Sequence, residues 1–245
     1  MVKKILISQQ APKAGSPYEA LTEKYGINID FVPFFLIEPI PSRDFRAQRI
    51  NILDYTAIVF SARSTIDAFF HLCEELRVKI PETMKYFCTT EAVAMYLQKH
   101  IVYRKRKIFF GDGTTSSVLG LIGTKHKGEK FLITTSDSSS NDITKAFEES
   151  GLEYKSAIFV RSVAQDLKAV DIHSYDLLVL YNPADVKSIY ENWPDFTQGD
   201  LKIVSYGKSV VKALNEAGLE IAISAPTVEA PSVAKALEIF LENDK

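Results

Sequence analysis

Residues 54–70 read DYTAIVFSARSTIDAFF, and residues 174–190 read SYDLLVLYNPADVKSIY. Each stretch opens on an unbroken apolar run, passes through a few small or polar residues, and continues with apolar side chains at helical spacing. In the first, Ile66, Phe69, Phe70 and Cys73 mark that helical face. An unbroken apolar strand is buried on both faces, as in a parallel sheet covered by helices. A strand feeding a helix, met twice, therefore sets the fold class as α/β with parallel sheets.

The same alternation runs outward in both directions. The pattern predicts a strand over 3–7, a helix over 18–25 ended by Gly26, and an extended run over 29–37. Strands at 56–60, 86–88 and 107–110 alternate with helices at 65–76, 91–98 and 116–122, and the alternation resumes at Phe131. The chain also resembles itself. KKILIS (3–8) matches EKFLIT (129–134), EKYGINI (23–29) matches EESGLEY (148–154), and YFCTTEAVAMYLQKHI (86–101) matches VSYGKSVVKALNEAGL (204–219). With the opening pair, these matches keep one order at an offset of roughly 120 residues, which reads as an internal duplication. The segment at 125–130 (KHKGEK) is only a polar turn, so no linker separates the halves.

Composition narrows the function. The 245 residues suffice for one large or two modest domains, and 46% hydrophobic with 24% charged residues is an ordinary globular balance. A formal charge of −2 leaves no global basic field, so nucleic acid is not an expected partner, and any anion must be met locally. Cys73 and Cys88 lie in apolar surroundings without metal-ligand spacing, which points to buried thiols in a reducing compartment and to no metal site. The run Ile5-Leu6-Ile7 is too short for a secretory signal, and FVPFFLI (31–37) is too short for a membrane span. A soluble, cytoplasmic protein without a membrane partner is the expectation.

Four strand ends lead into helices through small polar residues. Ser61, Arg63, Ser64 and Thr65 follow Phe60; Thr89 and Thr90 follow Cys88. Asn182, Pro183 and Ala184 follow Tyr181; Gly207, Lys208 and Ser209 follow Tyr206. Loops at the carboxyl ends of parallel strands are where ligands bind, and helix N-termini hold carboxylates or phosphates. The same residue types are also ordinary N-caps, so each loop alone supports either reading. FGDGTTSSVLGLI (110–122) lacks the GK[ST] of a phosphate loop and reads as a capped helix after a glycine turn. RKRK (104–107) reads as a solvated edge or a lure for a polyanion. SDSSSND (136–142) reads as a cap or a hydroxyl-rich rim. No catalytic triad, HExxH or Schiff-base lysine stands out, so an enzyme built from these residues would act by binding and orientation.

Taken in order, ILISQQAP, IVFSARSTIDAFF, YFCTTEAVAMYL, AFEESGLEYKSAIFVRS, VLYNPADV, SYGKSVVKALNEAGL and APTVEAPSVAKAL resemble the uroporphyrinogen-III synthase family over the whole chain. The resemblance implies two parallel-sheet α/β domains, internally duplicated and joined by a two-stranded connector, with the active site in a cleft. The implied domains are 1–36 plus 164–245, and 41–158, with connectors at 37–40 and 159–163. The implied activity closes the linear tetrapyrrole hydroxymethylbilane to uroporphyrinogen III with inversion of ring D. The route runs through an azafulvene cation and a spiro intermediate, without metal or organic cofactor, in a protein expected to be monomeric. The implied substrate carries eight carboxylates, and the twelve loop residues named above would bind them.

The chain departs from the family pattern in several places. Thr89 and Ala92 stand in the GxxTA loop, Asn182 stands for the serine of SPSAV, Val210 for the second threonine of GPTT, and Gln9 for the arginine of TRP. Val160 stands where the family often carries a tyrosine proposed to assist hydroxyl departure. Tyr181 and Tyr206, at strand ends, become the candidates for that phenol. The alternatives are a catalytically impaired tetrapyrrole-binding module, or another anion- or sugar-binding module on a similar scaffold.

Overall fold

The structure, a computed structural model, describes residues 2–138 and 141–243. In chain order it contains β1 (Lys4–Ile7), α1 (Pro17–Tyr25), β2 (Asn28–Phe31), β3 (Phe35–Pro39), α2 (Ser42–Ala47), β4 (Ala57–Phe60), α3 (Arg63–Glu75), β5 (Lys85–Cys88), α4 (Glu91–Tyr96), β6 (Ile108–Phe110) and α5 (Thr115–Ile122). It continues with β7 (Phe131–Ser136), α6 (Asp142–Glu149), β8 (Tyr154–Ala164), β9 (Leu177–Leu180), α7 (Pro183–Asn192), β10 (Lys202–Tyr206), α8 (Lys208–Glu216), β11 (Ile221–Ala225) and α9 (Val233–Asn243). Short 3-10 turns lie at Ile52–Asp54, Leu97–Lys99 and Ile172–Ser174.

The chain divides into two compact units, one of residues 1–36 with 163–245 and the other of residues 37–162. The first holds a five-stranded sheet ordered β11-β10-β9-β1-β2, and the second is built on a sheet ordered β3-β8-β7-β4-β5-β6. The strand pairings within β11-β10-β9-β1-β2 and β8-β7-β4-β5-β6 are parallel. Beyond the added edge strand β3, the two orders correspond strand for strand. β9, β10 and β11 take the places of β4, β5 and β6, while β1 and β2 take those of β7 and β8. Each sheet therefore joins a βαβ piece from one half of the sequence to three strands of the other. That exchange explains why the repeat has no linker at its midpoint. The chain passes from unit to unit along β3 and β8, where Ile40 N donates to Phe159 O and Gln165 N donates to Phe34 O. The constant sum of those residue numbers makes β3 and β8 antiparallel.

Burial follows the sequence pattern. All four residues of β4 and all four of β9 are buried. Phe60, Ile66, Phe69, Leu72 and Tyr86 build one core face of the second unit; Phe87, Val118, Phe131, Ile133 and Phe147 build the other. In the first unit, Leu6, Phe34, Leu178, Leu180, Ile189 and Leu214 lie on one side of the sheet, with Ile5, Ile7, Leu21, Val179, Val204 and Leu237 on the other. Successive strand residues point to opposite faces, so one apolar run serves two helical layers.

Three expectations need correction. The extended run at 29–37 breaks into β2 and β3, because Pro33 has no N–H for a ladder and Phe34 turns into the core against Trp193. The helix expected at 65–76 starts at Arg63, so Arg63, Ser64 and Thr65 form its first turn and not a loop. The helix expected at 91–98 is α-helical only to Tyr96 and tightens into the 3-10 turn after it.

Candidate functional site

Parallel order places the loops after β4, β5 and β7 at one edge of the second sheet, and those after β1, β9 and β10 at one edge of the first. The sequence leaves open whether these loops are caps or anion sites. The structure shows, loop by loop, which helix starts carry a side-chain cap.

Two of the helix starts cannot be capped by a side chain. The N-cap of α3 is Ala62 and that of α8 is Gly207, neither of which carries a polar side chain. The amides of Arg63, Ser64 and Thr65 in α3 and of Lys208 and Ser209 in α8 are thus left as donors at the positive ends of the helix dipoles, while that of Val210 donates to Gly207 O at 3.2 Å. The side chains of Ser61, Ser64, Lys208 and Ser209 make no hydrogen bond among the described residues, so they stand beside those amides as further donors. Gly207 adopts φ 96° and ψ 152°, a conformation essentially reserved for glycine.

The other two starts are closed from within. Thr90 accepts from Val93 N at 3.3 Å and caps α4. At α7 the Asn182 side chain accepts from Ala184 N at 2.9 Å, while Asp185 Oδ2 accepts from Tyr181 N at 2.8 Å and Asn182 N at 2.9 Å. Pro183 has no N–H, so this loop has no amide left to give an anion. Thr65 is also committed: it is buried and its hydroxyl donates to Ala62 O at 2.9 Å. Thr65, Thr90, Asn182, Pro183 and Ala184, all expected to bind substrate, are thus engaged in building the helix ends. A capping box formed by Asn182 and Asp185 engages the amides of this loop.

Arg63 lies over the Tyr96 ring at 5.4 Å, and Tyr96 donates to Asp67 Oδ2 at 2.7 Å. Asp67 Oδ1 also meets Lys99 Nζ at 3.0 Å and His100 Nε2 at 2.7 Å, while His100 stacks on Phe70. This network ties α3 to the end of α4 and holds Arg63 beside the uncapped turn. Burial alone would raise the Asp67 carboxyl, but hydrogen bonds from Tyr96, His100 and Lys99 outweigh it and bring it down to about 2. A folded-state value below the unfolded one gives stabilisation that is present above about pH 4 and lost as pH falls through about 2. Asp67→Asn should remove that dependence. The melting temperatures of the two proteins should differ at pH 5 and converge toward pH 2; a constant difference would contradict the assignment.

Ser61 and Thr89 line a cavity of about 280 Å³ with Gly113, Thr115, Thr134, Thr135 and Asp142. Thr89 Oγ1 donates to Ser61 O at 3.4 Å, joining the loops after β4 and β5. Thr134 and Thr135 give their hydroxyl protons to Val59 O and Ala157 O, and Asp142 brings a negative charge. Thr89 has likewise given its hydroxyl proton to Ser61 O and its amide to Phe60 O, whereas the Ser61 hydroxyl has no partner among the described residues. The GDG turn beside it is internal structure: Asp112 accepts from Thr114 N and Oγ1, and Thr114 caps α5. Of the hydroxyl-rich segment at 136–142, residues 139–140 lie outside the described residues.

In the first unit, three phenols gather at the carboxyl edge. Tyr181 follows β9 and Tyr206 ends β10, with ring centroids 5.4 Å apart. The Tyr181 hydroxyl is 2.8 Å from that of Tyr18, in the first turn of α1. Burial raises both Tyr18 and Tyr181 above the usual phenol range; their hydrogen bond opposes this in Tyr18 and adds to it in Tyr181. Both phenols stay protonated at neutral pH, and the bond between them uses one of the two hydroxyl protons. Sequence reading missed Tyr18, and also Ser8 and Asp185 beneath the Tyr181 loop. One signal for Tyr18 was present: a parallel sheet puts the helix start after β1 at the same edge as the ends of β9 and β10.

The departures can now be placed. Val160 is buried in β8, so no phenol occupies that position. Val210 is fully buried under α8, and Ala92 is exposed on α4. The acids and histidines of the described residues form no metal-binding cluster, and no described helix is long and apolar enough to cross a membrane.

Fold and strand ends together define a duplicated two-unit α/β protein with two helix starts that lack a side-chain cap. The sequence profile of the family described as uroporphyrinogen-III synthase HemD matches residues 16–235, and the chain belongs to that family. No curated protein sequence matches the chain. The fold is similar to that of uroporphyrinogen-III synthetase from Helicobacter pylori 26695, at 15% identity and a TM-score of 0.61, covering 98% of this chain and 99% of that one. It is also similar to a mutant uroporphyrinogen III synthase from the extremely thermophilic bacterium Thermus thermophilus, at 15% identity and a TM-score of 0.56, covering 99% of this chain and 100% of that one.

Proposed function

We propose that this chain closes hydroxymethylbilane to uroporphyrinogen III with inversion of ring D, and that it does so by fixing the substrate's shape. The observation that carries this reading beyond family membership is the pair of uncapped helix starts, α3 at Ala62 and α8 at Gly207, each beside uncommitted serine hydroxyls. The substrate is a flexible chain with eight carboxylates whose closure without guidance gives the other isomer. An enzyme for it must lower the barrier to one closure relative to a near competitor, which is a matter of orientation. Backbone amides on rigid helices serve that task. Ser61, Arg63, Ser64, Gly207, Lys208 and Ser209 are the proposed carboxylate contacts.

Hydroxyl departure from ring A needs a hydrogen-bond donor. With Val160 buried in β8, Tyr181 or Tyr206 is the proposed donor, supported by the phenol cluster. The reaction uses no metal or organic cofactor in this reading, and the protein works as a cytoplasmic monomer. Burial pushes the thiols of Cys73 and Cys88 up to about 12, which keeps them unreactive, as suits a reducing compartment.

Ser61→Ala and Ser209→Ala should each lower turnover about two- to ten-fold, because one lost hydrogen bond is worth on the order of 0.5–1.5 kcal/mol among many contacts. Initial rates of type III formation measure this. A thousand-fold loss in either variant would contradict a shared binding role. The buried Val160 favours one second reading, a tetrapyrrole-binding protein without isomer control, which would bind the product yet leave the isomer ratio of the free reaction unchanged.

A further inference from the structure

Asp185 is fully buried at the third position of α7. Its Oδ2 accepts from the Ser8 hydroxyl at 2.8 Å as well as from the Tyr181 and Asn182 amides. Its Oδ1 has no hydrogen-bond partner among the described residues, and no cation acts on the carboxyl there. Burial is the chief influence on its carboxyl and pushes it up to about 6 against those three hydrogen bonds. This is a costly way to cap a helix. Asn182 already caps Ala184 N, and a neutral residue at 185 would avoid burying a charge. The carboxylate is buried without a cation partner at the edge of the candidate site, a placement that recurs at functional sites.

The hydrogen bonds indicate what it does. They fasten the end of β1, through Ser8, to the end of β9, through Tyr181. The groups bonded to Asp185 from β1, β9 and α7 are neutral. The titratable groups of the adjoining cluster are the phenols of Tyr18 on α1, Tyr181 on β9 and Tyr206 on β10. The negative charge shortens and strengthens all three bonds to Oδ2, whereas a neutral amide oxygen would hold the same donors more weakly.

We propose that Asp185 is a positioning residue: its buried carboxylate gathers Ser8 and the Tyr181 and Asn182 amides, and so fixes the strand end that carries the Tyr181 phenol for the reaction. The inference rests on the synthase reading above. Asp185→Asn should then separate stability from turnover. A carboxyl raised in the folded state contributes stability that is present below about pH 4 and lost as pH rises through about 6. At pH 8 the variant should therefore melt at the same temperature as the wild-type chain or higher, and its stability should change less between pH 8 and pH 5. Its kcat for type III formation should fall about ten-fold or more with KM within about two-fold, as expected when an interaction serves the transition state. Ser8→Ala, which removes one donor and leaves the charge, should show a smaller fall in kcat of the same kind.

Unchanged kcat in Asp185→Asn would overturn the proposal. So would a melting temperature well below wild type, which would make the carboxylate structural. A wild-type chain that forms no type III isomer would overturn the synthase reading and this inference with it. An active wild type beside an equally active variant would overturn this inference alone.

Discussion

Phe69→Ala is expected to lower the stability of the second unit by about 3–5 kcal/mol, the cost of removing a fully buried aromatic side chain and leaving its cavity. Phe69 lies on α3 at the meeting point of three rings: Phe60 at 5.4 Å, Phe70 at 5.2 Å and Phe159 at 5.6 Å. It therefore fastens α3 both to β4 beneath it and to β8 at its side. In a chain of this size the melting temperature should fall on the order of 10 °C. The functional consequence follows from the same contacts. The uncapped turn at Arg63 and Ser64 starts the helix that Phe69 anchors, so turnover should fall even below the melting range. Calorimetry and activity measured at low temperature would check both parts. A fall below about 1 kcal/mol would mean that the site collapses around the gap and that α3 is held by other contacts.

Gly207→Ala should cost about 1–3 kcal/mol, because φ 96° with ψ 152° is a conformation that side chains strongly resist. A Cβ at Gly207 has open space around it, so the cost is torsional and not steric crowding by neighbours. Relief would come from rotating the peptide, which would turn the first amides of α8 away from an approaching carboxylate. Gly207 N is held by Ala225 O at 2.7 Å, and its own carbonyl accepts from Val210 and Val211, so that rotation also disturbs β11 and the first turn of the helix. Type III formation should fall about ten-fold or more, the equivalent of about 1.4 kcal/mol in the barrier. Gly218→Ala serves as the control. It stands at φ 70° after the opposite end of α8, and should lower stability without a comparable loss of turnover. Equal losses in the two variants would show that activity reports only on folding.

Much of the fold was legible because a parallel α/β sheet writes itself into sequence as unbroken apolar runs. The strand expected at 56–60 is β4 at Ala57–Phe60, and the apolar run before Tyr181 is β9. The duplication was legible too, but the topology adds what a linear repeat cannot: the βαβ piece of each half lies in the sheet formed by the other. Boundaries failed where a local rule was overridden. Ser61 looked like the entry to a loop ending at Thr65, yet α3 begins at Arg63 with an N-cap that cannot cap. Small polar residues at a strand end have the same composition whether their hydrogen bonds turn inward or remain available, so sequence could not sort the loops. The Asn182 loop turns its donors onto Asp185, whereas the α3 and α8 starts have no side chain to receive theirs. Asp185 was hidden for a related reason. An aspartate three residues into a helix looks like an exposed cap, and only the packing of β1 against β9 buries it beside Ser8.

The central claim is that this chain imposes one closure on a substrate that closes wrongly without guidance. Freshly prepared hydroxymethylbilane, incubated with the protein and resolved by chromatography after oxidation to the porphyrins, tests it directly. The account predicts a product dominated by the type III isomer, with type I confined to the buffer control. An isomer ratio equal to that of the control, at a protein concentration that binds the product, would contradict it.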